Sequence, residues 1–368
     1  MSEGSKRLVL LVAALLVGLV GGEVLLRVVP WHPDLVTALR ARLLADLHGL
    51  HVARPDRPWL YGLRPGTEAT VVATRDIRYT INADGFRDRL RARPKPDGAF
   101  RVVVLGDSIA FGYGVAAEAT FPARLEERLA AATPERHPEV LNLGVSGYNP
   151  YNEAMLFADV GVTYQPDLVL QQYCANDLND PTLHFDASTQ LALGAIPDAA
   201  YPDPRRRRPP PSFGVRICQR LRACGVLSEL VFHSAPGAPS TRDLDAAFQP
   251  LDPQGSELAW LRARYAETAA LAAARGARFA VVLFPHARHL ANVPAPVYGR
   301  IVALGRAEGW VMIDLLPAFR HAAASGERVM LDDWHPTPLG HRIAAEAIFH
   351  ELACHGWLPG VPREACES

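Results

Sequence analysis

The sequence lacks any surplus of charge. Its 38 lysines and arginines are set against 39 aspartates and glutamates, a formal net charge of -1. No basic stripe interleaved with aromatics runs along it. That balance argues against a nucleic-acid binder relying on a broad basic surface, so no nucleic acid is expected as a partner. The one dense basic run, Arg205 to Arg208, is set among prolines. It reads as a solvated loop, with a surface-binding patch as the lesser alternative. Cysteine is also scarce, five in 368 residues. No Cys-x-x-Cys or Cys/His spacing suggests zinc, and no internal repeat divides the chain. What is left is a globular chain, long enough for one large domain with appendages or for two modest domains.

The N-terminus carries the longest apolar run. "MSEGSKR" precedes "LVLLVAALLVGLVGG", uncharged from Leu8 to Gly22. That run is short of the ~20 residues of a full span. Extended to Val29 it is long enough, provided that Glu23 and Arg27 pair four residues apart or snorkel. No small-x-small cleavage site follows it. Residues 1–30 are therefore expected to be an uncleaved signal anchor, a single transmembrane helix, with a cleaved signal peptide and secretion as the rival. Lys6 and Arg7 keep the short flank in the cytoplasm, which puts the body in the periplasm or at the cell exterior. The cysteines fit an oxidising compartment. Cys218 and Cys224 lie in "ICQRLRACG", and Cys354 and Cys366 bracket "HGWLPGVPREA". Each pair could close a small disulfide loop, leaving Cys174 over; the alternative is that all five are reduced and buried.

Beyond the anchor, Leu35, Leu39, Leu43 and Leu47 recur at steps of four and predict an amphipathic stalk helix. Residues 31–100 are read as that helix followed by a small extended subdomain, with short strands at "TEATVVA" and "IRYTIN" and a turn at "NADGFRD". From residue 101 the pattern alternates. "RVVVLG", "EVLNLG", "DLVLQQYC", "RFAVVLF" and "VMIDL" read as strands. Helices are expected between them and at "PLGHRIAAEAIFHEL". Uniformly apolar strands separated by helices predict an α/β fold, a three-layer α/β/α sandwich around a five-stranded parallel sheet. Residues 178–256 interrupt the alternation with "IPDAAYPDPRRRRPPPS" and are read as an insertion in the 101–368 domain.

One strand breaks its own pattern. "RVVVLG" runs directly into Asp107 and Ser108. Ligands bind at the carboxyl ends of strands in open α/β sheets, so a serine here stands on the edge where chemistry happens. Alone, Gly-Asp-Ser is as readily a turn or a helix cap. A serine nucleophile needs a base, and "LDDWHPTPLGH" supplies a candidate. Asp332 and His335 are three apart, a spacing at which the carboxylate can bond one imidazole nitrogen and leave the other facing outward. The chain has 13 histidines. His286, His289 and His341 are rivals, but none has a carboxylate so placed. Oxyanion donors are available in "NLGVSGYN" and "CANDLND", each of which also reads as a plain turn.

The order of "GDS", "NLGVSG", "ANDL" and "DDWHP" resembles the SGNH family, the GDSL-type esterases and lipases. The resemblance covers roughly residues 101–355 without the insertion, and it implies a flavodoxin-like sandwich. It also implies that Ser108 is the nucleophile and its backbone N–H one oxyanion donor. Gly147 would be the second donor and the Asn176 amide the third. His335 would be the base and Asp332 its partner, with Asp333 a weaker alternative. Cys174 stands where the family often has glycine. "GGEVLLR" and "NADGFRD" are similar in layout to membrane-anchored bacterial members. The function so implied is ester hydrolysis without a metal or organic cofactor, removing acyl (acetyl) groups from a cell-envelope or extracellular carbohydrate. Acyl transfer to a glycan, lysophospholipase or short-chain lipase activity, and a non-catalytic binding role are the alternatives.

Overall fold

The computed structural model describes residues 50–178, except 55 and 73–75, and residues 256–363, except 292–295, with two isolated helical positions, 18 and 21. The expected anchor is therefore outside the described residues but for those two positions. So are the stalk helix up to residue 49, the insertion between residues 178 and 256, and Cys218, Cys224 and Cys366. Among the described residues no helix is long and apolar enough to cross a membrane.

Two hairpins come first. Strand β1 (His51–Ala53) pairs antiparallel with β2 (Tyr61–Leu63), and β3 (Glu68–Val72) with β4 (Asp76–Thr80). The strands of the second pair are the two expected at "TEATVVA" and "IRYTIN"; their antiparallel pairing is new. The alternating region then runs β5 (Arg101–Leu105), α1 (Ser108–Phe111), α2 (Phe121–Ala132), β6 (Glu139–Asn142), α3 (Pro150–Asp159) and β7 (Leu168–Tyr173). Beyond residue 256 come α4 (Ser256–Ala274), β8 (Arg278–Leu283), α5 (Pro296–Ala307), β9 (Val311–Asp314), α6 (Leu316–Ala324) and α7 (Pro338–Cys354).

The five later strands form one parallel sheet in the order β6-β5-β7-β8-β9. Each strand's side chains alternate between the sheet's two faces, because successive Cβ atoms point opposite ways. Val103, Leu105, Leu141, Val169, Val281 and Leu283 face one way, against α3, α4 and α5. Val102, Val104, Val140, Leu170, Ala280 and Val282 face the other, against α2, α6 and α7. This is the three-layer sandwich expected from the continuous apolar runs. The winding reverses between β5 and β7, since β6 lies on one side of β5 and every later strand on the other. A reversal of this kind opens a crevice at the carboxyl ends of the two strands that flank it.

Local chemistry sets the helix starts. The Thr120 hydroxyl accepts the Ala123 N–H, and Pro122 stands in the first turn of α2, where a missing N–H costs nothing. Asn149 and Thr337 cap α3 and α7 in the same way. Helix α6 is absent from the sequence reading. It follows β9 almost directly; Pro317 stands in its first turn and the Asp314 carboxylate accepts the Leu316 N–H at 2.9 Å, start signals that the reading of the sequence passed over.

The hairpin segment has no core of its own. Leu50, Leu60, Tyr61, Leu63, Tyr79, Ile81 and Phe86 bury into the same cluster as Val103 and Leu141. Cys174 is buried and in no disulfide, as expected of the cysteine left over from the two candidate pairs. Cys354 is in a disulfide whose partner lies outside the described residues.

Ile348 on α7 is fully buried against the second face of the sheet. Ile348→Ala should lower the unfolding free energy by about 3 kcal/mol, from lost transfer energy and the cavity left behind. Urea denaturation followed by tryptophan fluorescence checks this, and a loss below about 1 kcal/mol would mean that α7 is not closely packed there.

Candidate active site

The site begins where β5 ends. Gly106 permits a turn that no other residue fits: a Cβ there would stand 2.3 Å from Gln172 Oε1 and 2.8 Å from the Ala110 Cβ. Asp107 caps the one-turn helix α1, its buried carboxylate accepting the Ile109 N–H at 2.9 Å. Gln172, on the neighbouring strand β7, reaches across; its Oε1 accepts the N–H of Asp107 at 3.0 Å and of Ala110 at 3.3 Å. Asn142, at the end of β6, donates to the Ala110 carbonyl at 2.7 Å and accepts the Gly144 N–H at 3.0 Å. Strands on both sides of β5 thus hold the backbone on which Ser108 stands.

His335 arrives from the far end of the chain. Its Nε2 is 2.9 Å from Ser108 Oγ. Its Nδ1 is 2.8 Å from Asp332 Oδ2 and 3.0 Å from Oδ1. Asp332 Oδ1 also accepts the backbone N–H groups of Trp334 at 2.8 Å and His335 at 2.7 Å. Burial works to raise the Asp332 pKa, but the His335 ring and these two N–H groups outweigh it and hold the carboxyl at about 2. Asp333 is exposed, and its backbone carbonyl accepts the Ala287 N–H at 2.9 Å. The carrier loop is closed by Leu331 N–H to His335 O at 2.7 Å and by a bridge between Met330 and Pro336. A serine hydroxyl, an imidazole and a carboxylate so linked can pass a proton from oxygen to nitrogen while an acyl carbon is attacked.

The rival histidines are placed otherwise. His341 is fully buried, with Nδ1 accepting the Phe121 N–H at 3.1 Å, and burial takes its pKa down to about 3. Burial takes His286 and His289 down to about 4. The His286 ring stands edge-on to Trp334, centroids 4.4 Å apart, and so props the loop that carries His335. On the other side the Tyr113 ring lies 4.5 Å from the His335 ring.

The two expected oxyanion positions lie on the same sheet edge. The Tyr148 N–H bonds the Val145 carbonyl at 3.0 Å, and Gly147 has φ 82°. This is a turn whose third residue must take a left-handed conformation, hence glycine. Asn176 lies on the single turn Ala175–Leu178 that follows β7; its side chain is outside the described residues.

Beneath the site lies a polar layer that the sequence reading missed. Gln171 and Gln172 are both buried in β7 and point to opposite faces. Gln171 Nε2 donates to Glu153 Oε2, and the Tyr265 hydroxyl donates to Asp177 Oδ2 at 3.1 Å. Burial pushes the Glu153 carboxyl well up, with the nearby Asp177 and Asp107 carboxylates adding to the shift. Burial and Asp107 do the same to Asp177. Two adjacent glutamines inside an apolar strand were the available signal. Among the described residues, Glu351, Cys354 and His355 are the one group near enough to share a metal ion. Cys354 is in a disulfide and has no thiolate to give.

The folded protein holds the Glu153 proton at pH values where the unfolded chain has lost it. Stability from this group is thus full below the ordinary carboxylate range and falls as pH rises towards the raised value. Glu153→Gln keeps an oxygen for Gln171 Nε2 and does not titrate. Its melting temperature relative to the parent should therefore rise between about pH 5 and about pH 8. Calorimetry across that range decides, and a pH-independent difference would mean that Glu153 is ionised in the fold.

The GDSL-like lipase/acylhydrolase family model matches residues 104–343, more than half of the chain. No curated protein sequence matches it. Among solved structures it is similar to an alpha/beta hydrolase enzyme from the metagenome of Lake Arreo, Spain, at 20% identity and TM-score 0.41, over 71% of this chain and 97% of that one. It is similar to an acetyl xylan esterase at 14% identity and TM-score 0.42, over 68% of this chain and 98% of that one. A catalytic mutant of an acetylxylan esterase from Geobacillus stearothermophilus aligns at 14% identity and TM-score 0.40, over 76% of this chain and all of that one.

Proposed function

The chain belongs to the GDSL-like lipase/acylhydrolase family and is an ester-bond hydrolase, and on that premise we propose that Ser108, His335 and Asp332 are its catalytic triad and that it removes acyl groups, acetyl first among them, from a cell-envelope or extracellular carbohydrate. The observation that carries the reading is the unbroken chain of contacts from Ser108 Oγ through His335 to Asp332, at 2.9 and 2.8 Å.

Ser108 Oγ attacks the acyl carbonyl while its proton passes to His335 Nε2. Asp332 keeps the imidazole in the tautomer with Nδ1–H and stabilises the imidazolium. The tetrahedral oxyanion accepts hydrogen bonds from the Ser108 N–H, the Gly147 N–H and the Asn176 amide. The C–O bond to the alcohol breaks as Nε2 returns the proton to it. A water molecule, deprotonated by Nε2, attacks the acyl-serine, and the acid leaves with Ser108 restored.

The full chain in detergent should hydrolyse p-nitrophenyl acetate and release acetate from acetylated polysaccharide. Ser108→Ala should lose at least about 10⁴-fold in kcat, and Asn176→Ala about 100-fold. Activity rising with acyl length would favour a lipase, acetate appearing on an added glycan an acyltransferase. Wild-type turnover equal to that of Ser108→Ala would overturn the triad.

The same reading puts Leu8–Val29 in the membrane and the body in the periplasm or outside the cell. The Cys354 disulfide supports an oxidising compartment. Protease added to spheroplasts should digest the body and leave a short N-terminal fragment. A protected body would place it in the cytoplasm, and a body released intact would mean that the segment is cleaved.

A further inference from the structure

The family match begins at residue 104, yet both loops that flank Ser108 are held by residues before it. Arg87 is 3% exposed. Its Nη1 donates to the carbonyls of Phe111 at 3.0 Å and Gly112 at 2.6 Å, and its Nη2 to that of Val115 at 2.7 Å. The guanidinium lies 4.2 Å from the Tyr79 ring and 5.3 Å from the Phe111 ring. The Tyr79 hydroxyl accepts the Gly114 N–H at 2.7 Å. Between these anchor points stands Tyr113, whose ring is against His335. On the other side of the site, His51 Nε2 contacts the Ser146 carbonyl at 3.1 Å, and the Tyr148 hydroxyl donates to the Tyr61 carbonyl at 2.5 Å. Those two contacts bracket Gly147.

The Arg87 charge is costly where it is. Burying a cation forfeits much of its hydration, and an apolar side chain of similar volume commonly serves stability as well or better. Among the described residues no carboxylate forms an ion pair with it, and its acceptors are all carbonyls of one loop. What the guanidinium supplies, and an apolar residue would not, is three fixed directions for that loop's backbone.

We propose that residues 51–87 are a positioning part of the active site, Arg87 and Tyr79 fixing the loop that stands Tyr113 against His335, and His51 and Tyr61 fixing the turn that carries Gly147. The inference rests on the reading of Ser108 and His335 as the acting pair. The hairpin segment is thus a brace, and the catalytic unit is larger than the region the family match covers.

The test uses the full chain in detergent with two conservative variants. Tyr79→Phe removes one hydroxyl, and Arg87→Lys keeps the charge and loses the fork. The first readout needs no turnover: the His335 ring resonance, from protein labelled with ¹³C-histidine and assigned by its loss in His335→Ala. The Tyr113 ring current falls on that ring, so the resonance should move in both variants. The second is kinetic. kcat should fall about tenfold with KM within about twofold, as expected when a reacting group is displaced without loss of ground-state binding. Tyr113→Ala should reproduce both effects. An unmoved resonance with kcat within about twofold of wild type would overturn the proposal, as would variants that lower only the melting temperature. Failure of the triad is seen separately, as wild-type activity no greater than that of Ser108→Ala; the resonance then decides the brace by itself.

Discussion

The contact between Ser108 Oγ and His335 Nε2, 2.9 Å long, joins positions 227 residues apart. A parallel sheet makes such a contact available, because all five strands end on the same edge and whatever follows them shares one surface. Ser108 stands three positions past β5, while His335 comes from a loop beyond β9 and α6. Neither end is free to drift. The serine is held by Gln172 and Asn142 from the strands on each side, the histidine by the closed loop from Val329 to Thr337. Displacements well under an ångström matter for a reacting pair, and this redundancy of support is what such a tolerance demands.

The supports are polar and buried, which is costly unless each group finds a partner. Gln172 satisfies two N–H groups at the start of α1. Asn142 satisfies one carbonyl at its end. On the opposite face of β7 the same strand sends Gln171 to Glu153, and Asp177 meets Tyr265. Burial raises the Glu153 and Asp177 carboxyls, with the Asp107 carboxylate nearby adding to both shifts, so charge on this layer of the sheet's carboxyl edge is disfavoured.

In the proposed reading the class of reaction belongs to the few groups around Ser108 and the choice of ester to the loops near them, the usual division in folds that host many activities. Tyr113 and Trp334, both half-buried, flank His335. Tyr113 is fixed by the hairpin segment and Trp334 by His286 from the loop after β8. The walls of the site are therefore set by elements distant in the chain from the residues that react.

Much of this was legible in the residues themselves. Uniform apolar runs marked the five strands, and Thr120 with Pro122 marked a helix start. Aspartate three positions before histidine marked a local pair, because these signals act over one to four residues and owe nothing to distant chain. Helix α6 was missed, although Pro317 in its first turn and Asp314 just before it are start signals; Asp332 was preferred to Asp333 from the spacing, and two backbone N–H groups on its carboxylate accompany that contact in the fold. The roles of Gln171, Gln172, Asn142 and Arg87 were hidden for another reason. A buried polar side chain means nothing until its partner is known, and here the partners lie as much as 65 residues away. The sequence alone determined the layers, the edge and the reactive residue types. Only the tertiary structure decided what supports the serine and how an upstream hairpin comes to brace the site, because those follow from distances between segments that no local pattern encodes.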